Sequence, residues 1–224
     1  MKAPVTVSFI LSLIMVTFSN DLYLHAQDKP CVGMPTVTYS GKIYNTVQIG
    51  NQCWLKENLD VGTMIIDSVD QTNNDTIEKY CYNNDPANCT AYGGLYQWNE
   101  AMQYTTKLGA KGICPIGWHI PTFDDIWTLK TTVSDNANAL KAIGQGTGSG
   151  AGTNTSGFSA KLSGLFDFAD RFRDLTNKTY FWSSRKESAC CPYYIGLVNG
   201  EDAGDIDISK ESTSMGLSVR CLKN

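Results

Sequence analysis

Eight cysteines, at positions 31, 53, 81, 89, 114, 190, 191 and 221, constrain this 224-residue chain more than any other feature. An even number of them is a disulfide framework in an oxidising compartment and a metal or redox set elsewhere. The N-terminus points to the first. Lys2 supplies a positive start, Val5 to Phe18 is a mostly apolar run, and Leu24-His25-Ala26 offers a small residue for cleavage. That order reads as a secretory signal peptide over residues 1–26, leaving 27–224 as one domain. The apolar run is too short to span a bilayer comfortably. Asp28-Lys29-Pro30 ahead of Cys31 does not resemble the small-residue motif that precedes a lipidated cysteine. The expected product is therefore secreted, periplasmic or held at the cell surface, with no transmembrane anchor. There is no CxxC pair, and spacing alone does not fix which cysteine meets which.

The remaining chemistry is restricted by what is scarce. Removing residues 1–26 leaves His119 as the single histidine. A multi-histidine zinc site and an HExxH motif are excluded, and any Ser-His-Asp or Cys-His mechanism would have to run through that one ring. Neither GxxxxGK[ST] nor GxGxxG occurs. With 42% hydrophobic and 18% charged residues the composition is globular, and a net charge of −4 disfavours nucleic acid as a partner.

Patterning gives an α+β order. Thr36–Tyr39 and Ile43–Ile49 flank Ser40-Gly41 as a hairpin, with Ile43, Val47 and Ile49 expected on one face, and Cys53-Trp54-Leu55 follows as a short buried strand. Leu95, Trp98, Ala101 and Met102 predict a helix over 94–103. Thr122, behind Pro121 and ahead of Asp124 and Asp125, caps a second, whose inner face is Ile126, Leu129 and Val133. A third short helix is expected at Asn136–Ile143. Gly144–Gly157, with six glycines, reads as a flexible loop. Strands are expected at Gly157–Leu162, Thr179–Ser184, Tyr193–Val198, Asp205–Ile208 and Gly216–Leu222, with a turn at Asn199-Gly200. Strands at both ends with helices between suggest one domain whose ends pair.

Several stretches then resemble one bacterial family: YNTVQIGNQCWLKENL at 44–59, CYNNDPANC at 81–89, YGGLYQWNEAM at 92–102, GICPIGWHIPTFDDIWTL at 112–129, YFWSS at 180–184 and GLSVRCLK at 216–223. They look like the Fibrobacter succinogenes major paralogous domain, over a span from about Cys31 to the C-terminus. The family is exported, and its biochemical role is undefined. Pro121–Trp127, the FWSS segment and the C-terminal GxSVRC pattern are also similar, more distantly, to the formylglycine-generating-enzyme domain. That likeness implies a C-type-lectin-like fold: two main helices, twisted antiparallel sheets, adjacent terminal strands and long loops. It does not carry function. The first resemblance implies the pairs Cys31–Cys53, Cys81–Cys89 and Cys114–Cys221. Cys190-Cys191 departs from the family pattern and leaves open a vicinal disulfide, a free thiol pair or a link to a second chain.

The candidate chemistry is sparse. His119 sits just before a helix and reads as structural, with Asp124 and Asp125 as helix-start acids. The copper-binding cysteine pair of the formylglycine-generating enzymes is spaced, and Cys190-Cys191 does not reproduce it. Asn199–Asp207 is the densest acidic stretch. It is expected to be a solvated hairpin, and the other reading is a calcium site at Asp202, Asp205 and Asp207; no further cofactor is indicated. The five tryptophans mostly read as core. Tyr193 and Tyr194 cannot both face inward on a strand, and one of them could stack on a sugar. The expected function is a non-catalytic binding or adhesion module for a glycan or a cell-surface protein, with Tyr194, Asp202, Asp205 and Asp207 as its first candidate ligand-binding residues. The alternatives are an extracellular enzyme acting on polymers and a structural envelope protein.

Overall fold

A computed structural model describes residues 31–167, 169, 171–200 and 204–224, together with Met1. Residues 2–26 of the segment expected to be a signal peptide, and Asp202, lie outside the described residues. The chain opens with a meander of β1 (Thr36–Tyr39), β2 (Lys42–Ile49) and β3 (Gln52–Leu55), where the hairpin and the buried strand were expected. Next come β4 (Thr63–Met64), β5 (Glu78–Lys79), α1 (Pro86–Tyr92), β6 (Tyr96–Gln97) and α2 (Trp98–Ala101). They are followed by β7 (Trp118–His119), α3 (Phe123–Thr132) and α4 (Ala137–Leu140). The C-terminal half runs through β8 (Ser163–Asp167), β9 (Arg171–Leu175), β10 (Lys178–Lys186), β11 (Pro192–Val198), β12 (Asp207–Lys210), β13 (Gly216–Leu217) and β14 (Leu222–Lys223).

One sheet has the order β1-β2-β3-β14-β7, and a larger one runs β12-β11-β10-β8-β13-β6, with β9 on β8. All strand pairs are antiparallel except β8 with β10 and β4 with β5. The result is a mixed α+β fold, mostly antiparallel, with two longer helices, α1 and α3. The early and late strands do pair: Trp54 of β3 lies opposite Leu222 of β14. Successive residues on a strand face opposite sides, and here each side is a separate core. Cys53, Leu55, Trp182 and Cys221 point into one apolar cluster with Trp98, Trp118 and Leu217. Their neighbours Trp54, Phe181 and Leu222 point into the other, with Ile126, Leu129, Phe158 and Leu197.

All four disulfides form, as Cys31–Cys53, Cys81–Cys89, Cys114–Cys221 and the vicinal Cys190–Cys191, and no described cysteine is free. Such a set belongs to an oxidising, extracytoplasmic setting. No helix among the described residues is long and apolar enough to cross a membrane.

Several expectations are corrected. The helix over 94–103 is only the four-residue α2, because Tyr96-Gln97 is drawn into the sheet opposite Gly216-Leu217. The second longer helix is α1, which starts on Asp85, whose side chain accepts from Ala87 N, continues through Pro86 and stops at Gly93 with φ +88°. Ile43 is 68% exposed, and Tyr44 is buried in its place, while Val47 and Ile49 do face the core. The 157–162 segment makes only a single bridge, Lys141 with Ala160, and the strand begins at Ser163. The glycine-rich loop is pinned: the buried Lys141 donates to Gly150 O at 2.6 Å and Val198 O at 2.7 Å. The antiparallel pairing of β8 with β9 was not anticipated.

Candidate functional site

The site begins at the start of α3. Thr122 Oγ1 accepts from Asp125 N at 3.1 Å, and Asp125 Oδ2 accepts from Thr122 N at 2.8 Å, a reciprocal capping box. Ile126 and Leu129 then face the core, Phe123 packs half-buried against that same cluster, and Trp127, one turn further on, is turned outward. Their rings lie 6.2 Å apart at 14°, and Trp127 is 50% exposed. The expectation that the tryptophans are core thus holds for Trp54, Trp98, Trp118 and Trp182, while Trp127 is a surface residue.

A bulge in β10 completes the face. The register with β11 jumps between Trp182↔Tyr194 and Lys186↔Pro192, so Ser183, Ser184 and Arg185 occupy more chain than their partners. Ser184 N donates to Pro121 O at 2.7 Å, which ties the bulge to the entry of α3. Arg185 is thereby placed with its guanidinium 5.5 Å from the Phe123 ring and 5.9 Å from that of Tyr193. Tyr193 meets Phe123 edge-on at 4.9 Å. Its hydroxyl donates to Glu187 Oε1 at 3.2 Å, and Glu187 pairs with Lys210. That ion pair holds the Glu187 carboxyl below its ordinary range. Beyond it, Glu187 N donates to Cys191 O at 3.1 Å and Thr213 N to Cys190 O at 3.0 Å, so the vicinal disulfide closes the turn that borders the face. A groove of about 490 Å³ runs alongside, between Leu108, which is 58% exposed, and residues 185–188. The arrangement offers two near-parallel apolar rings, a third set edge-on, a guanidinium and a carboxylate to one ligand.

The residues singled out from sequence are placed elsewhere. Tyr194 is half-buried, edge-on to Tyr180 at 5.1 Å, and its hydroxyl donates to Asp207 Oδ2 at 3.0 Å. Burial first, and the Asp207 charge second, hold its phenol protonated above the ordinary range. Asp205 and Asp207 are exposed, and Ile206 between them is buried, with its carbonyl accepting from Lys130 at 2.6 Å and its N–H donating to Asp135 at 2.9 Å. Among the described residues no three His, Cys, Asp or Glu side chains group as metal ligands. The structure brings Tyr194 and Asp207 together and leaves Asp205 apart from them. Sequence reasoning missed Phe123, Trp127 and Arg185. The helical period did carry the signal for Trp127, which falls opposite the face marked by Ile126 and Leu129.

His119 has both ring nitrogens engaged: Nδ1 with Asn224 Oδ1 at 2.7 Å and Nε2 with Asp125 Oδ2 at 3.2 Å. Burial lowers its pKa, but the bonds to Asp125 and Asn224 outweigh that and leave it raised above 6.5. Burial raises the pKa of Asp125, and the bonds from His119 and Thr122 bring it below 3.8. The histidine's contribution is complete below pH 6.5 and is lost as pH rises through its folded pKa; the carboxylate's is complete above 3.8 and is lost as pH falls through its own. His119→Gln is therefore expected to lower the melting temperature by about 2–4 °C near pH 5.5 and by less near pH 8.5, about 1 kcal/mol at the lower pH. An equal drop at both values, by circular dichroism, would contradict the pair.

No curated protein and no solved structure matches the chain. One family model does, that described as the Fibrobacter succinogenes major domain (Fib_succ_major), and it covers residues 47–223, from the middle of β2 to the end of β14, leaving β1 and Cys31 ahead of it. It includes α3, the bulge of β10 and the vicinal pair, and the chain belongs to the Fibrobacter succinogenes major domain family.

Proposed function

We propose that this chain is an exported, non-catalytic binding module with a C-type-lectin-like fold, and that the face of Phe123, Trp127, Tyr193 and Arg185 takes a glycan. The fold reading draws support from the pairing of β3 with β14, the capped α3 and the long loops between short strands. The ligand reading is carried by one observation: a half-exposed indole stacked parallel to a phenylalanine, with a guanidinium against the same ring system. Flat apolar rings suit the C–H faces of a pyranose, and Arg185 and Glu187 can fix its hydroxyls. A non-catalytic role fits the His119 geometry, since neither ring nitrogen is free to move a proton.

Trp127→Ala tests this. Trp127 lies on the surface, so the variant is expected to melt within about 1–2 °C of the wild type. On a glycan array, and on immobilised polysaccharides that retain the wild type, its affinity is expected to fall at least about 10-fold, as for an aromatic hot spot. An array on which the wild type binds nothing, or on which Trp127→Ala binds as well, would remove the glycan reading.

A further inference from the structure

A second cavity lies away from the aromatic face, between the β1-β2-β3 meander, the end of α1 and the segment before β8. It measures about 320 Å³, the low end for small-ligand pockets and large enough to admit one sugar residue. Its lining carries four cations, Lys42, Lys56, Lys161 and Arg220, against two carboxylates, Glu57 and Asp60. The two carboxylates offset only part of the set and leave the lining two positive charges in excess. Asp60 is taken by Lys42 and Lys79 together. Glu57 accepts from both Asn45 N and Asn45 Nδ2 at 2.8 Å.

The other cations meet only neutral groups. Lys161 Nζ donates to Ala91 O at 2.7 Å. Lys56 has no side-chain hydrogen bond or ion pair among the described residues. Arg220 is 1% exposed and has no carboxylate within ion-pair distance among the described residues. It donates to Phe158 O and to Asn58 Oδ1, lies 4.2 Å from the Phe158 ring centroid, and its Nε has no partner. Burial pushes the guanidinium down to about 9, which leaves it charged at neutral pH. A buried cation with no anion in contact is costly, even with the Glu57 charge acting on it at longer range, and a guanidinium is suited to carboxylates. The rim adds apolar surface from Ile43, the residue found exposed instead of buried, and from Tyr92.

We propose that this pocket binds a small carboxylate-bearing ligand of about one sugar residue's size, its carboxylate held by Lys56 and Lys161 above the positive floor made by Arg220. The chemistry fits a uronic acid or a free dicarboxylate. The site is separate from the aromatic face and does not depend on the glycan reading.

Calorimetric titration of the mature chain at low salt separates the sources, with galacturonate, succinate, phosphate and galactose as probes. Galacturonate is expected to bind saturably and galactose not at all. Succinate binding as well as galacturonate would show that the carboxylate suffices; galacturonate alone would show that the sugar ring is read too. Lys56→Ala/Lys161→Ala, at two sites outside the core, is expected to keep its melting temperature and to weaken galacturonate at least about 10-fold. Arg220→Met is expected to remove the binding where it folds. Trp127→Ala should leave it unchanged. The proposal is overturned if neither carboxylate binds in the millimolar range, if phosphate binds in their stead, or if the lysine double variant binds normally.

Discussion

Replacing both Cys114 and Cys221 by alanine is expected to lower the melting temperature by about 10–20 °C. The bond joins residues 107 apart in sequence. In the chain-entropy view a loop of that length restricts the unfolded chain by roughly 4–5 kcal/mol, and a domain of this size moves about 2–4 °C per kcal/mol. Both sulfurs are fully buried in the cluster around Trp98 and Trp118, so the alanines also leave a small cavity. Opening Cys190–Cys191 makes the contrast. That bond spans adjacent residues, closes almost no loop, and its loss should move the transition by no more than a degree or two on the same scale. Differential scanning calorimetry of the two double variants checks both. A drop below about 3 °C for Cys114→Ala/Cys221→Ala would show that the bond does not restrain the unfolded chain as argued.

The second large effect separates two tryptophans. Trp182 is fully buried, and its indole Nε1 donates to Tyr96 O at 2.7 Å, linking β10 to β6 through the core. Trp182→Ala is expected to lose about 3–5 kcal/mol, from the cavity and from the carbonyl left without its donor. Trp127→Ala, on the solvent side of α3, should stay within about 0.5 kcal/mol. Urea denaturation at equilibrium measures the pair. Similar losses in both variants would contradict the assignment of one indole to the core and the other to the surface.

Legibility from sequence tracked how local the determinant was. The start of α3 was readable because Pro121, Thr122 and Asp125 act within five residues, and the structure shows the capping box that Thr122 and Asp125 make. The first hairpin was readable because Ser40-Gly41 and the alternation on either side agree. The helix over 94–103 failed because its apolar spacing matched a helix while Tyr96 and Gln97 were claimed by a strand more than a hundred residues away, a competition that no local window contains. The start of α1 was missed although Asp85-Pro86 and Gly93-Gly94 mark both its ends. The candidate site was less legible. Alternation separated Tyr193 from Tyr194, but which of the two met α3 depended on the fold. Arg185 reaches Phe123 only because the β10 register shifts, and nothing around Arg185 announces a bulge.

The position of β14 between β3 and β7 has a consequence for how such a molecule is made. Strands laid down early keep a bare edge until the last residues arrive, and Asn58 waits 160 positions for its bond to Ser218. Pairings this distant in the chain slow assembly and leave sticky intermediates. A polypeptide threaded through a membrane pore from its N-terminus would therefore emerge unfinished. Cys114 would stay reactive until Cys221 appeared, so faithful maturation would depend on a thiol-oxidising catalyst and a holding chaperone on the far side.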